Sequence, residues 1–182
     1  TLSISNTTSV SCYGASTGTA TVSATPAGTY TYTWLPGNLN GASQSGLAAG
    51  IYTVSATSGA CTGTITVNIA QPSAPLSASI TATSPASCGQ NNGSITVAAT
   101  DGTPSYTYTW SPSGGSAATA NTLEGGSYTV SVSDANSCTT HATASVSTTT
   151  NPSLTVNSEI ICAGQTTTLT VSGASTYTWS AQ

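Results

Sequence analysis

The sequence predicts an all-β protein built as a tandem array of small, cross-linked domains. Three observations carry this: an internal repeat, strand-length alternation within each repeat, and two cysteines per repeat. Cys12 and Cys88, Trp34 and Trp110, and Tyr52 and Tyr128 are each 76 positions apart, and Cys61 and Cys138 are 77 apart. A third unit begins near Asn151 with Cys162 and Trp179, and the sequence reaches only its middle. A period of this length marks stacked structural repeats.

The strands follow from period-two patterning. Thr19-Ala20-Thr21-Val22-Ser23-Ala24 alternates small or branched residues with hydroxyls, and Ser94-Ile95-Thr96-Val97-Ala98 repeats it. Tyr30-Thr31-Tyr32-Thr33-Trp34 and Tyr106-Thr107-Tyr108-Thr109-Trp110 place three aromatics on one face of a strand. Ile51-Tyr52-Thr53-Val54-Ser55-Ala56 matches Tyr128-Thr129-Val130-Ser131-Val132. These runs have strand length and strand residues, and no window shows a helical period. Turn signals separate them, among them Asn92-Gly93, Asp101-Gly102, Ala49-Gly50 and Gly125-Gly126. Gln71-Pro72-Ser73-Ala74-Pro75 and Thr148-Thr149-Thr150-Asn151-Pro152 read as linkers that their prolines stiffen. The expected domains are therefore 1–72, 73–150 and a partial 151–182.

Composition narrows the function. The chain of 182 residues has no Lys or Arg, four acids (Asp101, Glu124, Asp134, Glu159) and one His. Ordinary proteins are about a quarter charged. Without cations there is no electrostatic grip on phosphate, so nucleic acid and anionic membrane surfaces are not expected partners. No apolar run approaches a membrane span, so membrane insertion is not expected. Neither a leader nor an initiator Met is present, which reads as mature or partial sequence. Ser and Thr exceed a third of the residues and keep a nearly uncharged surface wet. The lack of Lys and Arg also denies trypsin-like proteases a cleavage site, which suits an exposed, durable structure. Disorder, the other reading of such a composition, does not fit apolar residues that alternate.

A unit of about 75 residues is marginal without a staple. Pairing within units is the expectation: Cys12 with Cys61 closes a loop of 49 positions, and Cys88 with Cys138 one of 50. Loops of that size as disulfides contribute roughly 2–4 kcal/mol each. Cys162 is left unpaired, its counterpart expected roughly 45–50 residues further on. Disulfides place the protein outside the cytosol.

The second unit then resembles a known family. Gly102-Thr103-Pro104-Ser105-Tyr106-Thr107-Tyr108-Thr109-Trp110, Leu123-Glu124-Gly125-Gly126-Ser127-Tyr128-Thr129-Val130 and Asp134-Ala135-Asn136-Ser137-Cys138 are similar to the SprB-type repeat of large surface adhesins of gliding and related Bacteroidota. The family's usual run departs from this chain at Ser105, where it has Pro, and at Ser137, where it has Gly. The first unit matches more loosely, with Cys12-Tyr13-Gly14 and Gly50-Ile51-Tyr52-Thr53-Val54, and Ser58-Gly59-Ala60-Cys61 lacks the aspartate. The third, through Ile161-Cys162-Ala163-Gly164-Gln165 and Thr176-Tyr177-Thr178-Trp179, resembles half of another Ig-like or PKD-like module. The resemblance implies tandem Ig-like β-sandwiches, two complete and one partial, with type IX secretion and a role in surface adhesion or fibre building. Tyr52 and Tyr128 stand nine and ten residues before the second cysteine, where antibody domains leave two, so the antibody topology is not carried over.

Little here suggests catalysis. His141 lacks a nucleophile-elbow context around it and reads as an exposed strand residue. Asp134, Asn136 and Asp101 are oxygen donors that a Ca²⁺ ion would accept, but the first unit has no acid at either place and turn formation accounts for them, so no cofactor is expected. The aromatic strands offer either a sugar-stacking platform or core, and the small sandwich needs the bulk. Trp34, Trp110, Trp179, Tyr52 and Tyr128 are the expected core aromatics. Asn6 and Asn92 open N-x-Ser/Thr sequences, candidate glycosylation sites. The function expected is a non-enzymatic, protease-resistant extracellular stalk or fibre segment. Two alternatives stand beside it, a filament subunit completed by strands from another chain and a carbohydrate-binding module. Expected partners are further repeats or copies of itself, and surface glycans.

Overall fold

The computed structural model describes residues 1–150, 153–157 and 160–178. Among these, every regular element is a strand. The first unit comprises β1 (Leu2–Thr8), β2 (Gly18–Ala24), β3 (Thr31–Leu35), β4 (Leu39–Asn40), β5 (Ser43–Leu47), β6 (Gly50–Ser58) and β7 (Cys61–Ile69). They form two sheets, β1-β2-β5 and β4-β3-β6-β7, with antiparallel pairing throughout. The second unit repeats this with β8 (Ser77–Ser84), β9 (Gly93–Thr100), β10 (Thr107–Ser111), β11 (Thr119–Leu123), β12 (Gly126–Ser133) and β13 (Thr139–Val146). Its sheets are β11-β9-β8 and β10-β12-β13. This is the two-sheet division of an Ig-like sandwich, strands A, B and E facing C, F and G.

Alternation sends one face of each strand inward. In β6, Tyr52, Val54 and Ala56 are buried, and in β12 Tyr128, Val130 and Val132 are. Trp34 is 0% exposed at the centre of the first core, among Val22, Val54 and Val67. Trp110 holds the matching place in the second. Each indole needs a partner for its N–H in so dry a place. Trp34 Nε1 donates to the Gly41 carbonyl at 2.8 Å, and Trp110 Nε1 to that of Ala117 at 2.9 Å. Tyr32, Tyr106 and Tyr108 pack partly buried against the two cores.

The tyrosines of β6 and β12 do more than fill volume. Tyr52 donates its hydroxyl to the Ala48 carbonyl at 3.2 Å, and Tyr128 to that of Glu124 at 3.1 Å. Each ties its strand to the corner that leads into it, as a tyrosine corner does in Ig domains. The distance of these tyrosines from the second cysteine therefore concealed an Ig-like device.

Gly18 and Gly93 open β2 and β9 where another side chain presses on the backbone. A Cβ on Gly93 would lie 2.5 Å from Val146 Cγ1 and 3.0 Å from the Leu123 carbonyl; on Gly18 it would lie 2.5 Å from Ile69 Cγ2. Gly93→Ala is expected to lower the stability of the second sandwich by about 1–3 kcal/mol through overpacking. Denaturant unfolding checks this, with Gly63→Ala as control, since a Cβ there meets nothing within 4 Å.

Beyond Thr150, β14 (Thr155–Val156) and β15 (Val171–Ser172) form a two-stranded ribbon. Leu154, Val156, Leu169 and Tyr177 are exposed on this segment. Trp179, an expected core aromatic, lies outside the described residues.

Candidate functional site

Strand direction decides which cysteines can meet. The chain enters the first sandwich at the end where Leu2 pairs with Ala24, and it leaves at the opposite end, where Ala70 accepts from the Val10 amide at 2.8 Å. The second sandwich repeats this, entering where Ser77 pairs with Thr100 and leaving where Ser147 accepts from the Ala86 amide at 2.9 Å. The first cysteine of each unit, Cys12 or Cys88, follows two residues after that amide, so it sits at the trailing end. The second, Cys61 or Cys138, sits in the β6–β7 or β12–β13 turn, at the leading end.

Pairing within a unit is thereby ruled out. Nine residues of β7 at about 3.3 Å each place Cys12 and Cys61 roughly 30 Å apart, whereas a disulfide needs Cα atoms within about 7 Å. The bond instead joins Cys12 to Cys138, with Cα atoms 5.7 Å apart and 126 positions between them. The expected Cys12–Cys61 and Cys88–Cys138 bonds are corrected accordingly. Cys61, Cys88 and Cys162 are exposed free thiols. The trailing end of the first sandwich is thus locked to the leading end of the second.

Hydrogen bonds build the same joint. Asp134, 6% exposed, follows β12 and organises the turn that presents Cys138. Its Oδ1 accepts from the Asn136 amide at 2.9 Å and the Cys138 amide at 2.8 Å, and its Oδ2 accepts from the Thr103 amide at 2.8 Å. Burial by itself would raise this carboxyl's pKa, but the three backbone donors, Thr103, Cys138 and Asn136, outweigh it and hold the pKa below the ordinary aspartate value. Ser137 adopts φ 63°, the left-handed conformation in which the resembling family carries glycine. Asn136 then reaches across the joint: Nδ2 donates to the Ser11 carbonyl at 3.0 Å and to Thr103 Oγ1 at 2.9 Å. On the linker side, the Gly14 amide donates to Gln71 Oε1 at 2.9 Å. Pro72, Pro75 and Leu76 line a cleft beside the disulfide together with Tyr13 and Gly102.

Asp134→Asn removes the charge and turns an amide NH₂ toward backbone donors. The expected loss is about 2–3 kcal/mol from the second sandwich, measured by denaturant unfolding. The pH dependence has a definite sign. A carboxyl whose folded pKa is depressed contributes fully above its unfolded value, about 3.9, and that contribution is lost as pH falls through the lower folded value. Acid is therefore expected to weaken the wild type only below about pH 4, while the asparagine variant loses this component of the pH dependence.

The other candidates are dispersed. His141 is exposed on β13 opposite Ser131. Asp101 has φ 62°, and its carbonyl accepts the Tyr106 hydroxyl at 2.7 Å, a turn role. Among the described residues no three His, Cys, Asp or Glu side chains gather as a metal site. Asn6 is exposed on β1, whereas Asn92 holds a loop: its Oδ1 accepts from the Ser87 amide at 2.7 Å. Sequence reasoning missed Asn136 and Gln71 as joint residues, and nothing local marks them.

Fold and joint together define the class: tandem Ig-like sandwiches locked end to end. Each unit is similar in part to the SprB repeat: the family model of that description matches residues 4–39 and 80–117, the corresponding portions of the two units. Comparison with curated proteins finds no match. Among solved structures, the chain is similar to one titled "Structural basis for Dscam isoform specificity", at 15% identity and TM-score 0.38, covering 82% of this chain and 47% of that one. It is also similar to Drosophila OTK extracellular domains 3–5, at 12% identity and TM-score 0.35, covering 80% and 61%. Surface layer protein SbsC, domains 1–6, matches at 19% identity and TM-score 0.34, covering 86% and 29%. The chain thus spans about half the length of the first of these and less than a third of the last.

Proposed function

We propose that this chain is a non-enzymatic segment of an extracellular, adhesin-type surface stalk, in which the sandwiches act as stiffened spacers. The observation that carries this reading is the Cys12–Cys138 bond across the joint. A bond between units adds nothing to a reacting centre; it restrains bending between neighbours, which is what a load-bearing rod needs. It also requires an oxidising compartment. The hydroxyl-rich surface without Lys or Arg adds resistance to trypsin-like proteases. Export by a type IX system, a source among Bacteroidota and glycan on Asn6 belong to the same reading, carried by the family resemblance and the Asn6-Thr7-Thr8 sequence.

The test is surface labelling of intact source cells with antibody to residues 1–182, together with electron microscopy of the purified protein. Surface label and short rods are the expected results. Label confined to lysed cells would overturn the proposal.

Filament assembly is favoured by one observation, the exposed Leu154, Val156 and Leu169 around the β14–β15 ribbon. A strand from another chain would cover them, and concentration-dependent ordered filaments would reveal it. Sugar binding rests on the half-buried Tyr30 and Tyr32, whose rings lie 6.2 Å apart, and a glycan array tests it.

A further inference from the structure

We infer that Cys12–Cys138 is one instance of a repeating clasp, from the first-position cysteine of one unit to the second-position cysteine of the unit that follows, and that Cys88 and Cys61 are its two open halves. The partner for Cys88 is therefore the leading end of another Ig-like unit. This deepens the stalk reading and rests on it, because the bond needs an oxidising compartment.

The argument is equivalence of position. Cys88 is held at the trailing end of the second sandwich by the same contacts that hold Cys12 at the trailing end of the first. Val10 and Ala86 are both buried, and each gives its amide to the strand leaving the unit, Val10 to Ala70 and Ala86 to Ser147. A Ser-Cys pair follows in both. The Ser11 amide donates to Thr17 Oγ1 at 2.9 Å, and the Ser87 amide to Asn92 Oδ1 at 2.7 Å. Thr17 and Asn92 in turn precede Gly18 and Gly93, the two glycines pressed by matching side chains. Cys12 in this setting forms a disulfide; Cys88 in the same setting is exposed with no cysteine in reach.

Cys61 is the reciprocal half. It stands at the leading end of the first sandwich, as Cys138 does in the second, and like Cys88 it is exposed. Its turn is simpler: Ser58 pairs directly with Cys61 across the hairpin, with no counterpart of Asp134 or Asn136. A clasp at Cys61 therefore relies on the disulfide without the polar lock. Cys162 continues the series, in a turn where the Gln165 amide donates to its carbonyl at 3.0 Å, as Ala15 does to Cys12.

The chemistry balances with a protein disulfide as oxidant. The two thiols lose two protons and two electrons, an S–S bond forms between units, and the oxidant leaves as a dithiol. The incoming cysteine comes from either of two sources, a following unit of a longer chain or the first unit of a second copy.

The experiment is disulfide mapping of the natural protein, isolated from its source with iodoacetamide present, digested with pepsin without reduction, and read by mass spectrometry. The expected result is a Cys88 peptide bonded to a second-position cysteine. If that peptide has a sequence outside residues 1–182, the source is a following unit. If it contains Cys61, in a species of twice the chain mass, the source is a second copy. Alkylated Cys88 beside an intact Cys12–Cys138 bond overturns the clasp and leaves the stalk reading standing. Reduced Cys12 and Cys138 in the same isolate overturn both. A Cys88–Cys138 bond overturns the clasp as well.

Discussion

Trp34→Ala is expected to unfold the first sandwich first, at a cost of about 3–5 kcal/mol, the usual range for emptying a buried aromatic site. The residue is fully buried and central to the first core. Its removal opens a cavity that Val22, Val54 and Val67 cannot close, and strands the Gly41 carbonyl that the indole N–H served. A domain of this size has only a few kcal/mol in hand, so the loss approaches its whole stability. Differential scanning calorimetry checks this, with the transition of the first sandwich falling by more than 10 °C at about 4–8 °C per kcal/mol. The transition carried by Trp110 should move far less, since its core is separate. Trp34→Phe should fall between wild type and alanine, restoring volume but not the hydrogen bond. A loss under about 1 kcal/mol for alanine would mean that the ring does not anchor the core.

Cys12→Ser is expected to free the joint while both sandwiches stay folded. The disulfide closes a loop of 126 positions, and such a link contributes about 2–5 kcal/mol against the unfolded chain. The larger consequence is mechanical. Without the bond, the described polar ties at the joint are the Asn136 bridge to Ser11 and the Gly14 to Gln71 bond, on a linker stiffened by Pro72 and Pro75. Small-angle scattering should show a shorter mean length and a broader range of shapes for Cys12→Ser and Cys138→Ser alike. Cys61→Ser, altering a free thiol, should scatter as wild type. Unchanged scattering for Cys12→Ser would transfer the stiffness to the linker and the polar contacts.

Much of the fold was legible because it is encoded locally. Period-two alternation in Ile51–Ala56 and Tyr128–Val132 places Tyr, Val and Ala on one face whatever else the chain does. The matching tryptophans were legible as core for the same reason, their spacing putting bulk where a small sandwich lacks it. Other elements left weaker traces. Ser43-Gln44-Ser45-Gly46-Leu47 has no alternation, yet it forms β5 because the backbone of β2 offers it partners. Tyr30 reads as part of the aromatic strand, but the strand starts at Thr31, and the Tyr30 hydroxyl instead donates to the Pro26 carbonyl at 2.8 Å.

The sequence by its own pattern established an all-β repeat protein and its inward-facing residues, since each depends on residues near one another in the chain. It pointed to the wrong cysteine pairing, Cys12–Cys61 and Cys88–Cys138, because four cysteines in two equivalent units admit three connectivities and pairing within each unit keeps both loops short. Tertiary structure decided otherwise. Each strand carries the chain from one end of a sandwich to the other, so cysteines of one unit stand at opposite ends, and only the ends of neighbouring units meet. The bond between Cys12 and Cys138, and the reach of Asn136 to Ser11, exist because two folded domains abut, a relation between surfaces that no local pattern records.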